Sequence, residues 1–107
     1  MIEVMISQPM NGKTDGEIQA VREDLTIKIQ HYLKEKYPEE WSFNIIDSVI
    51  KNHESKYTLE CFAESIMFLS QADYLVMANG WRESRGCRLE HEIASEYGVS
   101  LLYEETL

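Results

Sequence analysis

Asp73-Tyr74-Leu75-Val76-Met77-Ala78-Asn79-Gly80, running on into Trp81-Arg82-Glu83-Ser84-Arg85-Gly86-Cys87-Arg88-Leu89-Glu90, is the stretch whose reading decides the fold. Asp73 to Ala78 is a short and mainly apolar run, too short for a helix and closed by an Asn-Gly turn signal. Such a run reads as a strand buried on both faces, the kind found in parallel sheets covered by helices. After the Gly80 to Gly86 loop, Leu89, Ile93, Ala94 and Tyr97 recur at helical spacing, and Gly98 stands where a helix C-cap needs a left-handed residue.

The same alternation extends outward in both directions. Val99 to Tyr103 reads as the last strand. Upstream, Leu59, Phe62, Ile66 and Leu69 mark a helix, Phe43 to Ile46 a short strand, and Asp47 to Tyr57 a loop or short helix without clear period. Ile2 to Ser7 is apolar and β-branched and stops at Gln8-Pro9-Met10-Asn11-Gly12. From Thr14 or Asp15 as cap, Ile18, Val21, Leu25, Ile29, Tyr32 and Leu33 predict a long amphipathic helix ending before Pro38. The order βαβαβαβ predicts an α/β fold, a small Rossmann-like or flavodoxin-like parallel sheet of about four or five strands with helices on both faces. In such sheets ligands sit at the carboxyl ends of the strands, where the Ser7 to Gly12 and Asn79 to Gly86 loops would meet.

The 107 residues suit one domain, 1–107, and 44% hydrophobic with 27% charged residues is the balance of a chain that folds. A formal net charge of −9 argues against duplex nucleic acid and anionic membranes as partners. It leaves room for a small anionic ligand held by local arginines and helix-terminal amides. Cys61 and Cys87 fall in a helix and a ligand-facing loop and show no metal-ligand spacing, and neither do the histidines, with His31 and His53 incidental. No metal or cofactor is expected. The amino-terminal apolar run is too short for a signal peptide and nothing approaches a membrane span, so the expected compartment is the cytoplasm.

Ser84-Arg85-Gly86-Cys87-Arg88 opens a helix, bringing free amides, a hydroxyl, a glycine and two guanidiniums to one place. That set can hold a phosphate, or equally form a capped helix start with solvated arginines. Glu90 lies about one turn into the helix and cannot share a face with Glu92; near a phosphate it would serve as nucleophile or base, and elsewhere as a solvated surface acid. His91 beside it would serve as a base or an orienting group, or else be solvated or hydrogen-bonded in the structure. Trp81 either packs on the core or stacks on a planar ligand. Asn11-Gly12-Lys13-Thr14 ends like a phosphate-binding loop, but the upstream glycine of that motif is missing.

The opening MISQPMNGKT and the block GWRESRGCRLEHEIASEYGVSLLYE resemble the short proteins of unknown function grouped with the nucleoside 2-deoxyribosyltransferase superfamily. The likeness spans nearly the whole chain. It implies that Glu90, four residues after Gly86, is a nucleophile that forms a covalent glycosyl-enzyme, and that Ala94 packs the helix on the sheet. Ser84, six residues before Glu90, stands where relatives acting on deoxynucleoside monophosphates carry a phosphate-binding serine. With Arg85 and Arg88 beside it, a nucleotide is implied over a free nucleoside.

The resemblance further implies a substrate site built from Ser7, Gln8, Pro9, Met10, Asn79, Gly80, Trp81, Ser84, Arg85, Gly86 and Arg88, and a homodimer or higher homo-oligomer. Two positions depart from the pattern. Ser65, with Glu64 adjacent, stands where an aspartate would assist the leaving base, and Gln8 stands where a small residue precedes the proline. The expected function is therefore an N-glycosidase or deoxyribosyltransferase acting on a nucleotide or related N-glycoside, the alternative being a nucleotide-binding module without turnover. A purely structural acidic protein would explain the charge but not the clustered Ser84, Gly86, Arg88 and Glu90.

Overall fold

The computed structural model describes residues 1–39, 42–49 and 58–107. Its elements are β1 (Ile2–Ser7), α1 (Asp15–Lys36), β2 (Phe43–Ile45), α2 (Thr58–Leu69), β3 (Tyr74–Met77), α3 (Arg85–Tyr97) and β4 (Ser100–Tyr103). Short 3₁₀ turns occupy Trp81–Glu83 and Glu104–Thr106. The four strands are all parallel in the order β2-β1-β3-β4, which is the α/β sheet the alternating pattern predicts. Residues 47–49 have no regular structure, while 50–57, including His53 and most of the expected loop or short helix, lie outside the described residues.

Strand periodicity sorts the core into two layers. Val4 and Ile6 of β1 and Tyr74, Val76 and Ala78 along β3 pack against Leu25, Ile29 and Leu33 of α1. Met5, Leu75 and Met77 point the other way, onto Leu69 of α2 and Cys87 and Ala94 of α3. Helices thus cover both faces, and β3 is buried along its whole length as its uninterrupted apolar run requires.

The helix ends follow their local chemistry. Thr14 Oγ1 accepts from Glu17 N at 3.1 Å while Glu17 Oε1 accepts from Thr14 N at 2.9 Å, a reciprocal capping box. Thr14, not Asp15, is therefore the cap. Gly98 closes α3 at φ 75°, a conformation costly for a residue with a Cβ.

Three expectations are corrected. On α1 the buried positions are Ile18, Arg22, Leu25, Ile29 and Leu33, so Arg22 occupies the inward place and Val21 is exposed. On α3 the inward positions are Cys87, Glu90 and Ala94, whereas Leu89 is 41% and Tyr97 84% exposed. Cys87 is a buried core residue in the first turn of α3 and not part of a ligand-facing loop; burial pushes its thiol pKa up, so it is a poor thiolate. Among the described residues no helix is long and apolar enough to cross a membrane, and no group of three His, Cys, Asp or Glu side chains is placed to hold a metal.

Candidate functional site

In the order β2-β1-β3-β4 the chain leaves β1 toward β2 on one side and later returns to β3 on the other. The switch point therefore lies between the carboxyl ends of β1 and β3, where neighbouring loops diverge and leave a crevice. Ser7 ends β1, and the Ala78 amide donates to its carbonyl at 2.9 Å, carrying the ladder to the edge of the crevice. Gly80, at φ 87°, brings its backbone beside Pro9; an added Cβ would lie 3.5 Å from the proline ring. The two loops predicted to meet do meet.

Glu90 reaches this point because α3 turns the Cys87, Glu90 and Ala94 face toward the sheet, with Glu92 exposed on another face. Glu90 is only 7% exposed. Its Oε1 accepts a hydrogen bond from Ser7 Oγ at 2.7 Å, and among the described residues Ser7 is its one hydrogen-bond partner. Burial raises the Glu90 pKa above the ordinary carboxyl value, and the Ser7 bond offsets part of that rise. A carboxylate in this setting is poorly solvated, held by one oxygen, and responsive to any positive charge that develops beside it.

A pocket of about 280 Å³, counting its open mouth, lies beside this carboxyl. Its wall includes Met5, Ile6, Ser7, Gln8, Met10, Arg22, Ser48, Val49, Ser65 and Glu90. Only about 30 Å³ of this is enclosed, room for a water molecule or two, and the rest is open to solvent. Arg22, 8% exposed, donates from Nη1 to Gln8 Oε1 at 3.2 Å and from Nη2 to the Ile46 carbonyl at 3.0 Å. Gln8 in turn donates from Nε2 to the Ile18 carbonyl at 3.2 Å, so its amide is held from both ends. Burial lowers the Arg22 pKa, and nearby Asp47 works in the opposite direction.

Of the residues singled out in the sequence, Ser7, Gln8, Met10, Ser65 and Glu90 line this pocket, while Pro9 sits in the neighbouring loop against Gly80. The residues at the start of α3 are placed differently. Ser84 Oγ caps the helix, accepting from Cys87 N at 3.5 Å. Arg88 Nη1 donates to the Arg82 carbonyl at 2.9 Å, binding the helix to the preceding 3₁₀ turn. Arg85 is exposed, and the space where a Gly86 Cβ would project is open. Asn79 N is bound by Glu104 Oε1 at 2.8 Å.

Trp81 stacks on His91, with ring centroids 4.4 Å apart, and His91 Nε2 lies 2.7 Å from Tyr103 Oη. The Arg82 guanidinium covers the Trp81 ring at 4.6 Å and pairs with Glu105 at 3.0 Å. Trp81 and His91 are thus packed against each other and against β4, outside the lining of the pocket.

Arg22, Ser48 and Val49, with Met5 and Ile6 of β1, also line the pocket and were not singled out in the sequence as site residues. Arg22 carries a legible signal: it falls four residues after Ile18 and three before Leu25, placing a cation on the apolar stripe of α1. Ser48 and Val49 lie in an irregular segment whose sequence has no period.

The fold and pocket define a class, a small Rossmann-like α/β protein with a buried acid at the switch point of its sheet. Within that class the chain belongs to the family described as Domain of unknown function (DUF4406), whose model matches residues 2–103. No curated protein and no solved structure matches the chain.

Proposed function

We propose that the protein is an N-glycosidase or deoxyribosyltransferase acting on a nucleotide or related N-glycoside, with Glu90 as nucleophile. The observation that carries this reading is the buried Glu90 carboxyl, held on one oxygen by Ser7 and lining a polar pocket at the switch point. Glu90 attacks the anomeric carbon, the bond to the base nitrogen breaks with its electron pair leaving on the base, and a glycosyl ester remains. Water then hydrolyses the ester, or a second base accepts the sugar. The transition state carries positive charge on the sugar, and a poorly solvated carboxylate stabilises that charge more than a water-exposed one would. Ser84, Arg85 and the open space at Gly86 provide hydroxyl, charge and amides for a 5′-phosphate at the start of α3. The superfamily resemblance carries with it a cytoplasmic homodimer or higher homo-oligomer.

The test is base release from a panel of nucleosides and nucleoside monophosphates, followed by chromatography. Wild-type protein releases base, Glu90→Gln loses at least about 10³-fold in rate with its fold intact, and a glycosyl adduct on Glu90 is detected by mass spectrometry. Absence of base release across the panel removes the reading for those substrates.

A second reading, nucleotide binding without turnover, is favoured by Ser65. Ser65 lines the pocket and stands at the position where the resemblance implies an acid that assists departure of the base. Thermal stabilisation by nucleotides with no product after long incubation would support it.

A further inference from the structure

Among the described residues of the pocket wall, Glu90 supplies the one carboxyl and Arg22 the one cation. Glycoside cleavage ordinarily uses two carboxyl groups, one to attack and one to protonate the leaving group. Among the described residues this wall holds no second carboxyl, and Ser65 cannot replace it because a hydroxyl is far too weak an acid. A guanidinium cannot donate its proton at neutral pH either, but it stabilises negative charge on an oxygen that receives its N–H groups.

Arg22 suits that task. Among the described residues two of its five N–H groups are committed, to Gln8 Oε1 and the Ile46 carbonyl, which fixes the plane of the fork. Among the described residues no carboxylate stands within 4 Å of it, and the charge of nearby Asp47 favours its protonated form, so with respect to those residues the buried cation borders the pocket without a direct ion pair. A cation in that position favours a ligand that brings an oxygen rich in electron density.

We infer that Arg22, positioned by Gln8, recognises and stabilises the leaving group, and that the preferred substrates are N-glycosides of 2-oxopyrimidines rather than of adenine. This rests on the proposed function of the same site. In the step itself Glu90 Oε bonds to the anomeric carbon as the carbon–N1 bond breaks. The electron pair passes to N1 and delocalises onto the adjacent carbonyl oxygen, where the guanidinium N–H groups meet it. The base departs as its anion and takes its proton from water. Adenine linked through N9 has no carbonyl beside the glycosidic nitrogen and gains nothing from Arg22. Gln8 is a positioning residue here, acting only through the guanidinium.

Binding is measured by calorimetry on the Glu90→Gln protein, which keeps the pocket and blocks attack, with deoxyuridine monophosphate and deoxyadenosine monophosphate as probes. Adding Arg22→Met is expected to weaken the uracil nucleotide about tenfold or more and the adenine nucleotide less than about threefold. Adding Arg22→Lys in place of Met keeps a charge but not the fork, and restores only part of the affinity. Circular dichroism and unfolding curves identify any variant that fails to fold; the Lys variant then carries the comparison.

Equal losses for both nucleotides, stronger binding of the adenine nucleotide, or no binding of either at millimolar concentration overturns the inference. A uracil preference that depends on Arg22 in a protein that never releases base removes the proposed catalysis and leaves the recognition standing. Base release with no Arg22-dependent preference does the reverse.

Discussion

Ser7 and Glu90, 83 positions apart in the chain, share a 2.7 Å hydrogen bond that joins the end of β1 to the inward face of α3. Both are buried, so the bond lies where the dielectric is low and where an ionised carboxyl is expensive.

That expense gives the molecule a pH dependence of definite sign. Burial raises the folded-state pKa of Glu90, so between its unfolded and folded pKa values the native protein holds a proton that the unfolded chain has released. Stability from this group therefore falls as pH rises through that window, starting near the ordinary glutamate value of about 4.3. Replacing Glu90 by Gln removes the ionisation. Urea unfolding of Glu90→Gln and wild type should give similar stabilities near pH 4 and a more stable variant at pH 7. A difference that stays constant between the two would show that Glu90 is not held in a desolvated place.

The Arg22 guanidinium ties three segments together, α1 on which it sits, the loop after β1 through Gln8, and the chain leaving β2 through Ile46. Arg22→Met retains most of the apolar stem but leaves two buried acceptors without donors. The expected cost is about 2 kcal/mol, read from denaturant midpoints with unchanged slope. Gln8→Ala should cost less, about 1 kcal/mol, because water at the pocket mouth can replace part of what is lost. A loss below about 0.5 kcal/mol for Arg22→Met would mean that the buried fork contributes little to joining these segments.

Trp81 is partly buried against His91 and Tyr103, and among the described residues its indole Nε1 has no hydrogen-bond partner. An unpaired buried N–H costs about 1–3 kcal/mol, which offsets some of what the large ring contributes. Trp81→Phe should therefore change stability by less than about 1 kcal/mol, whereas Trp81→Ala should lose about 3 kcal/mol through the cavity it opens. Both are read from thermal or urea unfolding. A ligand-stacking role for this ring predicts instead that Trp81→Ala leaves the fold nearly as stable and weakens nucleotide binding.

Much of the fold was legible because it rests on short-range rules. The mainly apolar run at Asp73 to Ala78 marked a doubly buried strand, Thr14 and Glu17 marked a helix start, and Gly98 marked a helix end. Each depends on residues within a few positions of one another, and each element formed within a residue or two of its expected bounds. The alternation of elements then sufficed for a parallel sheet, because parallel strands require crossovers and the helices supply them. The crevice between the Ser7 and Asn79 loops followed from the same rule.

What the sequence by itself determined was therefore the architecture and the neighbourhood of the site. Tertiary structure decided which side chains of that neighbourhood share a pocket. The rotation of α3 about its axis, fixed by packing Cys87 and Ala94 on the sheet, turned Glu90 inward and Leu89 outward, against simple hydrophobic ranking. The docking of α1 chose Arg22 over Val21 as the buried residue of its second turn, because Gln8 and the Ile46 carbonyl stand ready to receive the guanidinium. Ser84, Arg85 and Arg88, adjacent in sequence, were divided between a helix cap, solvent and the Arg82 carbonyl. Partners so far apart in the chain leave no local period to read; their meeting is set only when the layers pack.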